Sequence, residues 1–213
     1  MDHVTEHCSS DGLGGIDRVI LVHGFGAGPH DHWFPWLARS FRHVEVPRLP
    51  HPESPDASTW ASTIAERIGT SPDGLTGLAI VTHSLGGLTA LRAIERVIAC
   101  DSPANGNGRH LAAFIAVAPF AQQLPPTGEA ELDHFLATGL EGFLDGASPG
   151  ELRPLLGRTT VIHSDNDPLV PRAASRRFAT AISADVVADP HADAEPIGPA
   201  VAGGMSAGPI GSA

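Results

Sequence analysis

The apolar run Leu78-Ala79-Ile80-Val81 ends in Thr82-His83-Ser84-Leu85-Gly86-Gly87, and a helical pattern follows at once. A strand that stops at a small residue, turns on glycines and passes straight into a helix is a nucleophile elbow. The sharp turn lifts a serine hydroxyl out of the sheet edge, where it can attack a carbonyl. The helix that follows places Leu88, Leu91, Ile94, Val97 and Ile98 on one face, while Arg92, Glu95 and Arg96 stay polar. A buried strand feeding an amphipathic helix requires the helix to fold back over a sheet, so the chain is expected to be α/β.

The same alternation recurs along the chain. Val19-Ile20-Leu21-Val22 is a continuous β-branched run, as in a strand buried on both faces. A short helix is predicted from Trp33 to Phe41, and a short strand at Val44-Glu45-Val46, closed by Pro47. Ser58 to Ile68 reads as a helix with Trp60, Ile64 and Ile68 on one face. Phe114 to Ala118 is another buried strand, and residues 120–156 are mixed, with a helical patch from Glu129 to Ala137. Thr159 to Ile162 is a strand, Arg172 to Ile182 a helix, and Asp185 to Ala188 a last strand. Alternating strands and helices predict a mostly parallel sheet covered on both faces. Residues 1–16 are expected to be a flexible leader, 17–191 a single domain, and 192–213 a disordered tail rich in Gly, Pro and Ala.

Charge narrows the function classes. Lys plus Arg is 13 against 24 for Asp plus Glu, and all the basic residues are Arg. An acidic chain without an Arg-rich run argues against nucleic acid or an anionic membrane surface as partner. The lack of Lys beside abundant Ala, Gly, Pro and Arg points to a GC-rich bacterial genome. Cys8 and Cys100 form neither a disulfide framework nor a metal-ligand spacing. The first 17 residues lack a basic and an apolar signal region, and no apolar stretch approaches the length of a membrane span, so a cytoplasmic protein is expected. No protein partner is indicated.

Serine chemistry needs a base for the hydroxyl proton, a carboxylate to orient that base, and donors for the developing oxyanion. At an elbow of this kind the partners follow in the order Ser, Asp or Glu, His, each just after a strand. After Val161-Ile162 comes His163-Ser164-Asp165-Asn166-Asp167-Pro168, and after Val186-Val187-Ala188 comes Asp189-Pro190-His191. Asp167 is the favoured orienter, with Asp165 competing, and His191 is the candidate base. One strand–helix–strand unit separates them, so a right-handed crossover sets both at the sheet edge that carries Ser84. The first strand ends in His23-Gly24-Phe25-Gly26. Gly24 removes a side chain that would crowd the site, and the Phe25 and Leu85 amides can pair as an oxyanion hole. His23 and His83 flank the site as structural residues. His30-Asp31-His32 lacks a third ligand at a suitable spacing, so no metal is expected. Trp33, Trp36 and Trp60 are expected in the core or in a pocket wall.

These segments, with Asp31-His32-Trp33-Phe34-Pro35-Trp36-Leu37 and Val46-Pro47-Arg48-Leu49-Pro50, resemble successive motifs of one group. They are the small serine hydrolases related to retinoblastoma-binding protein nine and its bacterial esterase-like relatives. The resemblance spans residues 19 to 191 and implies a compact α/β-hydrolase of about six parallel strands, without a large lid or cofactor. It implies activity on small esters, with Ser84 as nucleophile, Asp167 as orienter and His191 as base; Gly86 is the glycine that closes the elbow motif.

Three departures stand out. Thr82 occupies a position where the elbow usually has Gly; it adds bulk at a tight place, where a small β-branched residue can still fit. Pro190 precedes His191 where the family usually has Gly. The family continues into a terminal helix that the Gly/Pro-rich tail here cannot form, so that helix is expected to be missing and the nearby sheet face exposed. The expected function is hydrolysis of a small carboxylic ester through an acyl-enzyme. The alternatives are amide or thioester cleavage on the same triad, or a catalytically weak binding protein on the hydrolase scaffold.

Overall fold

A computed structural model describes residues 15–70, 73–100, 110–146 and 148–188. Six strands form one sheet: β1 (Arg18–Val22), β2 (Val44–Glu45), β3 (Leu78–His83), β4 (Ala113–Val117), β5 (Arg158–His163) and β6 (Asp185–Ala188). Their order is β2-β1-β3-β4-β5-β6, and every pair is parallel. From β1 the chain first moves outward to β2 and then returns to β3 on the other side. The β1/β3 boundary is therefore the topological switch point, where the loops after two neighbouring strands diverge and open a crevice.

Seven α-helices connect the strands among the described residues: α1 (Phe34–Ser40), α2 (Ala57–Gly69), α3 (Gly86–Cys100), α4 (Ala130–Thr138), α5 (Leu140–Leu144), α6 (Pro149–Leu152) and α7 (Arg172–Ala181). α2 starts where Asp56 accepts hydrogen bonds from the Thr59 amide and hydroxyl, at 2.8 and 2.7 Å. This N-cap satisfies an amide that the first helical turn leaves without a carbonyl partner. Trp60, Ile64 and Ile68 then repeat every fourth residue and are all buried, as their spacing predicts. In α3 the buried stripe is Leu88, Leu91 and Ile94, with Val97 and Ile98 half-buried as the helix leaves the sheet.

Side chains alternate across the pleat. Ile20, Val22, Ile80, Phe114, Ala116 and Val161 point to the face covered by α2, α3 and α7. Val19, Leu21, Ala79, Val81 and Ala113 point to the opposite face, where Phe34 of α1 covers them. Burial decreases from the sheet centre to its far edge. β6 is exposed along its whole length, with Val186 and Val187 at 42% and 48%. The leader, the tail, the missing terminal helix and Pro190 all concern positions outside the described residues, apart from Gly15 and Ile16.

The tryptophan expectation holds in part. Trp60 is fully buried and Trp33 packs on Phe34, but Trp36 is 58% exposed on the outer side of α1. A helix of seven residues turns only one narrow stripe inward, and Phe34 occupies it. Thr82 is fully buried beside the elbow, its hydroxyl oxygen at ordinary contact distance, 3.6 Å, from where a Cβ on Gly87 would lie. Among the described residues that hydroxyl has no hydrogen-bond partner.

Candidate active site

Ser84 follows β3 directly, and its φ is +51°. A non-glycine residue in the left-handed region carries a cost of about 1–2 kcal/mol, so its surroundings must hold it there. Its amide donates to the Val117 carbonyl at 2.9 Å, and its carbonyl accepts from the Gly87 amide at 3.0 Å. The first bond anchors the turn to β4 and the second starts α3.

Two glycines let the switch-point loops close around this serine. A Cβ on Gly24 would lie 3.0 Å from the Ser84 Cβ and 3.1 Å from the His83 carbonyl oxygen. A Cβ on Gly86 would run into the backbone of β1, coming within 2.8 Å of the His23 carbonyl oxygen and closer still to that of Val22. Thus the β1 loop lies directly against the elbow. The Leu85 amide nitrogen is 3.5 Å from the Cβ position of Gly24, so it faces the same loop at the start of α3. A negative charge placed there would meet the positive end of a helix.

His23 fixes this loop from below. The Leu49 amide donates to His23 Nε2 at 3.1 Å, so the ring proton sits on Nδ1 and is donated to the Gly24 carbonyl at 3.0 Å. Burial pushes the imidazole below its ordinary value of 6.5, against the opposing pull of the Gly24 carbonyl. With both nitrogens committed, His23 has no lone pair left for a substrate proton. His83 turns to the other face of the sheet, where its ring packs 4.8 Å from His32 and 6.0 Å from Phe34.

Residues 19–193 match the family model described as serine hydrolase. The chain belongs to that family. The hydrolase is 28% identical to the ydeN gene product of Bacillus subtilis over 171 residues, covering 78% of this chain and 80% of that one. The crystal structure of that relative superposes with a TM-score of 0.63, at 26% identity, over 81% of this chain and 84% of the other. A YdeN-like protein from Pectobacterium atrosepticum gives 0.54 at 20% identity over 80% and 75% of the two chains. A lipase-esterase related protein from Clostridium acetobutylicum gives 0.55 at 12% identity over 80% and 84%, a likeness of fold alone. These neighbours establish the compact α/β-hydrolase architecture.

On the far side of the elbow lies the turn after β5. Asp167 Oδ1 accepts from the Leu169 and Val170 amides at 2.8 and 2.9 Å, so its carboxylate is part of the turn. Its competitor Asp165 is half exposed and pairs with Arg172 at 3.0 Å, at the start of α7. β5 and β6 are neighbours, as the crossover argument requires, so the chain leaves β6 beside the Asp167 turn. His191 lies outside the described residues. The site therefore brings Ser84, Gly24, Phe25, Leu85 and Gly86 together, with Asp167 two strands away at the same edge of the sheet.

Sequence reasoning passed over two features. His163, at the end of β5, is only 2% exposed; its Nδ1 lies 3.3 Å from the Ser164 carbonyl oxygen, and among the described residues its Nε2 has no hydrogen-bond partner. Its place at the end of an apolar run was the available signal. The second is Phe135 of α4, whose ring stacks 5.1 Å from that of Phe25. The irregular pattern of residues 120–156 gave no hint of that contact. Among the described residues, no three His, Cys, Asp or Glu side chains gather to hold a metal ion, and no helix is long and apolar enough to cross a membrane.

Proposed function

We propose that this serine hydrolase cleaves small carboxylic esters through an acyl-enzyme. Ser84 Oγ attacks the ester carbonyl while His191 takes its proton. The carbonyl π electrons move onto oxygen, and the Phe25 and Leu85 amides receive that oxyanion. Collapse expels the alcohol, which leaves with the proton from His191. Water then attacks the acyl-serine with the same base, releasing the carboxylic acid and restoring Ser84. Asp167 orients His191 and stabilises the imidazolium.

The observation that supports this reading best is the left-handed backbone of Ser84, held with Gly24 against its Cβ. His32, His51, Ala118 and Ser183 also have positive φ, and what sets Ser84 apart is its place between β3 and α3 at the switch point, with the β1 loop packed against its Cβ. A small substrate suits the packing of Phe25 and Phe135 beside the elbow.

The test is turnover of p-nitrophenyl acetate together with labelling by a fluorophosphonate probe. Labelling at Ser84, lost in Ser84→Ala along with at least about 10⁴-fold of activity, is the expected result. Folded protein that neither labels nor turns over would overturn the proposal. A panel of matched esters, amides and thioesters separates the three substrate classes, since all of them use the same nucleophile.

A further inference from the structure

Gly24, which touches Ser84, lies between two aromatic residues, and each begins a line of ring contacts. His23 meets Trp60 of α2 edge-on, with centroids 5.5 Å apart, and Trp60 meets Phe143 of α5 at 5.8 Å. From the other side, Phe25 stacks on Phe135 of α4 at 5.1 Å and 30°, and Phe135 meets Phe143 at 5.8 Å. The two lines join at Phe143. The five rings thus form a closed clamp on the oxyanion loop, at separations where aromatic pairs attract beyond their buried area.

The clamp has little room to give. Trp60 and Phe143 are fully buried, and the Trp60 indole donates to the Pro50 carbonyl at 2.7 Å. Behind Phe135 lies Gly139, where a Cβ would come within 2.7 Å of the phenyl ring. α4 is itself anchored: Asp133 accepts from the Thr127 and Gly128 amides at 2.6 and 3.0 Å, and Gln123 donates to the Leu136 carbonyl at 2.7 Å. Phe25 is the least buried ring of the five and follows directly on Gly24, the residue packed against the Ser84 Cβ. Its ring has only Phe135 as an aromatic partner among the described residues.

We infer that Phe135 is a positioning residue for catalysis: by stacking on Phe25 it holds the Phe25 amide where the oxyanion forms. This rests on the proposed serine mechanism. A hydrogen bond to the oxyanion strengthens mainly in the transition state, so loosening its donor lowers kcat and spares KM. A residue that only lines the substrate pocket would act on KM instead.

The experiment compares full-length wild type, Phe135→Ala, Phe135→Leu and Phe135→Tyr in p-nitrophenyl acetate kinetics, with thermal unfolding as a check on folding. In Phe135→Ala, kcat is expected to fall about tenfold, with KM unchanged within about twofold. Phe135→Tyr keeps the ring and is expected to recover most of the loss. Phe135→Leu keeps apolar bulk without a ring and carries the test if the alanine variant does not fold. An unchanged kcat in folded Phe135→Ala or Phe135→Leu would overturn the inference, as would a rise in KM alone. Wild type whose Ser84 resists the fluorophosphonate would overturn the serine mechanism and this inference with it. Labelled wild type with insensitive variants would overturn the inference alone.

Discussion

The two halves of the sheet edge are built differently. On the β1/β3 side, backbone meets backbone: Gly24 against Ser84, Gly86 against the end of β1, and the Ser84 amide on the Val117 carbonyl. On the β5/β6 side, the turn is held by side chains, with Asp167 on its own loop amides and Asp165 on Arg172, and the last strand is exposed. Backbone contacts of this closeness have no slack, whereas a carboxylate turn beside an edge strand can shift. In the proposed mechanism Ser84 and the loop amides are therefore preorganised, and adjustment during the reaction falls to the β5/β6 side.

Substitutions can break this contrast in order of expected effect. Gly86→Ala forces a methyl group into the carbonyl oxygens at the end of β1 and should cost about 3 kcal/mol or more, read as a large drop in urea midpoint or as failure to fold. Ile80→Ala empties a fully buried site at the centre of β3 and should cost about 3 kcal/mol in the same measurement. Gly24→Ala meets the Ser84 Cβ at 3.0 Å. It should lower kcat about a hundredfold through misplacement of the nucleophile, with a stability loss near 1 kcal/mol.

The pH dependence sharpens the same half. His23 is held neutral by burial below its ordinary 6.5. In the unfolded chain it binds a proton more readily, so its contribution to stability is complete above 6.5 and declines as pH falls below that value. Urea midpoints measured from pH 7.5 down to 5 should fall, and His23→Asn should flatten that slope. The smallest effect is expected at the other edge. Val187→Ala, in exposed β6, should shift stability by no more than about 0.5 kcal/mol, and a shift as large as that of Ile80→Ala would erase the contrast.

The central strands were legible because a strand buried on both faces must be apolar without interruption, as at Val19–Val22 and Phe114–Ala118. The elbow was legible because its local chemistry is restrictive. Thr82 could be read as added bulk beside the turn, but whether a small β-branched side chain fits there depends on tertiary packing, in which it is fully buried. Asp165 and Asp167 could be ranked but not separated by sequence; in the fold Asp165 pairs with Arg172 and Asp167 accepts from its own loop amides, contacts that no periodicity encodes. The Phe25–Phe135 contact joins residues far apart in the chain and within an irregular segment, where periodicity carries no information. His191 lies outside the described residues.

The aromatic clamp also gives the molecule an optical property. The chain has three tryptophans and no tyrosine, so its near-ultraviolet emission is almost wholly indole. Trp36 faces solvent, while Trp60 is fully buried and its ring lies against His23 of the loop after β1. With half-buried Trp33 replaced by Phe, a soluble quencher that silences Trp36 would leave Trp60 as an internal beacon, its colour and lifetime reporting on the loop beside Ser84 without any attached dye.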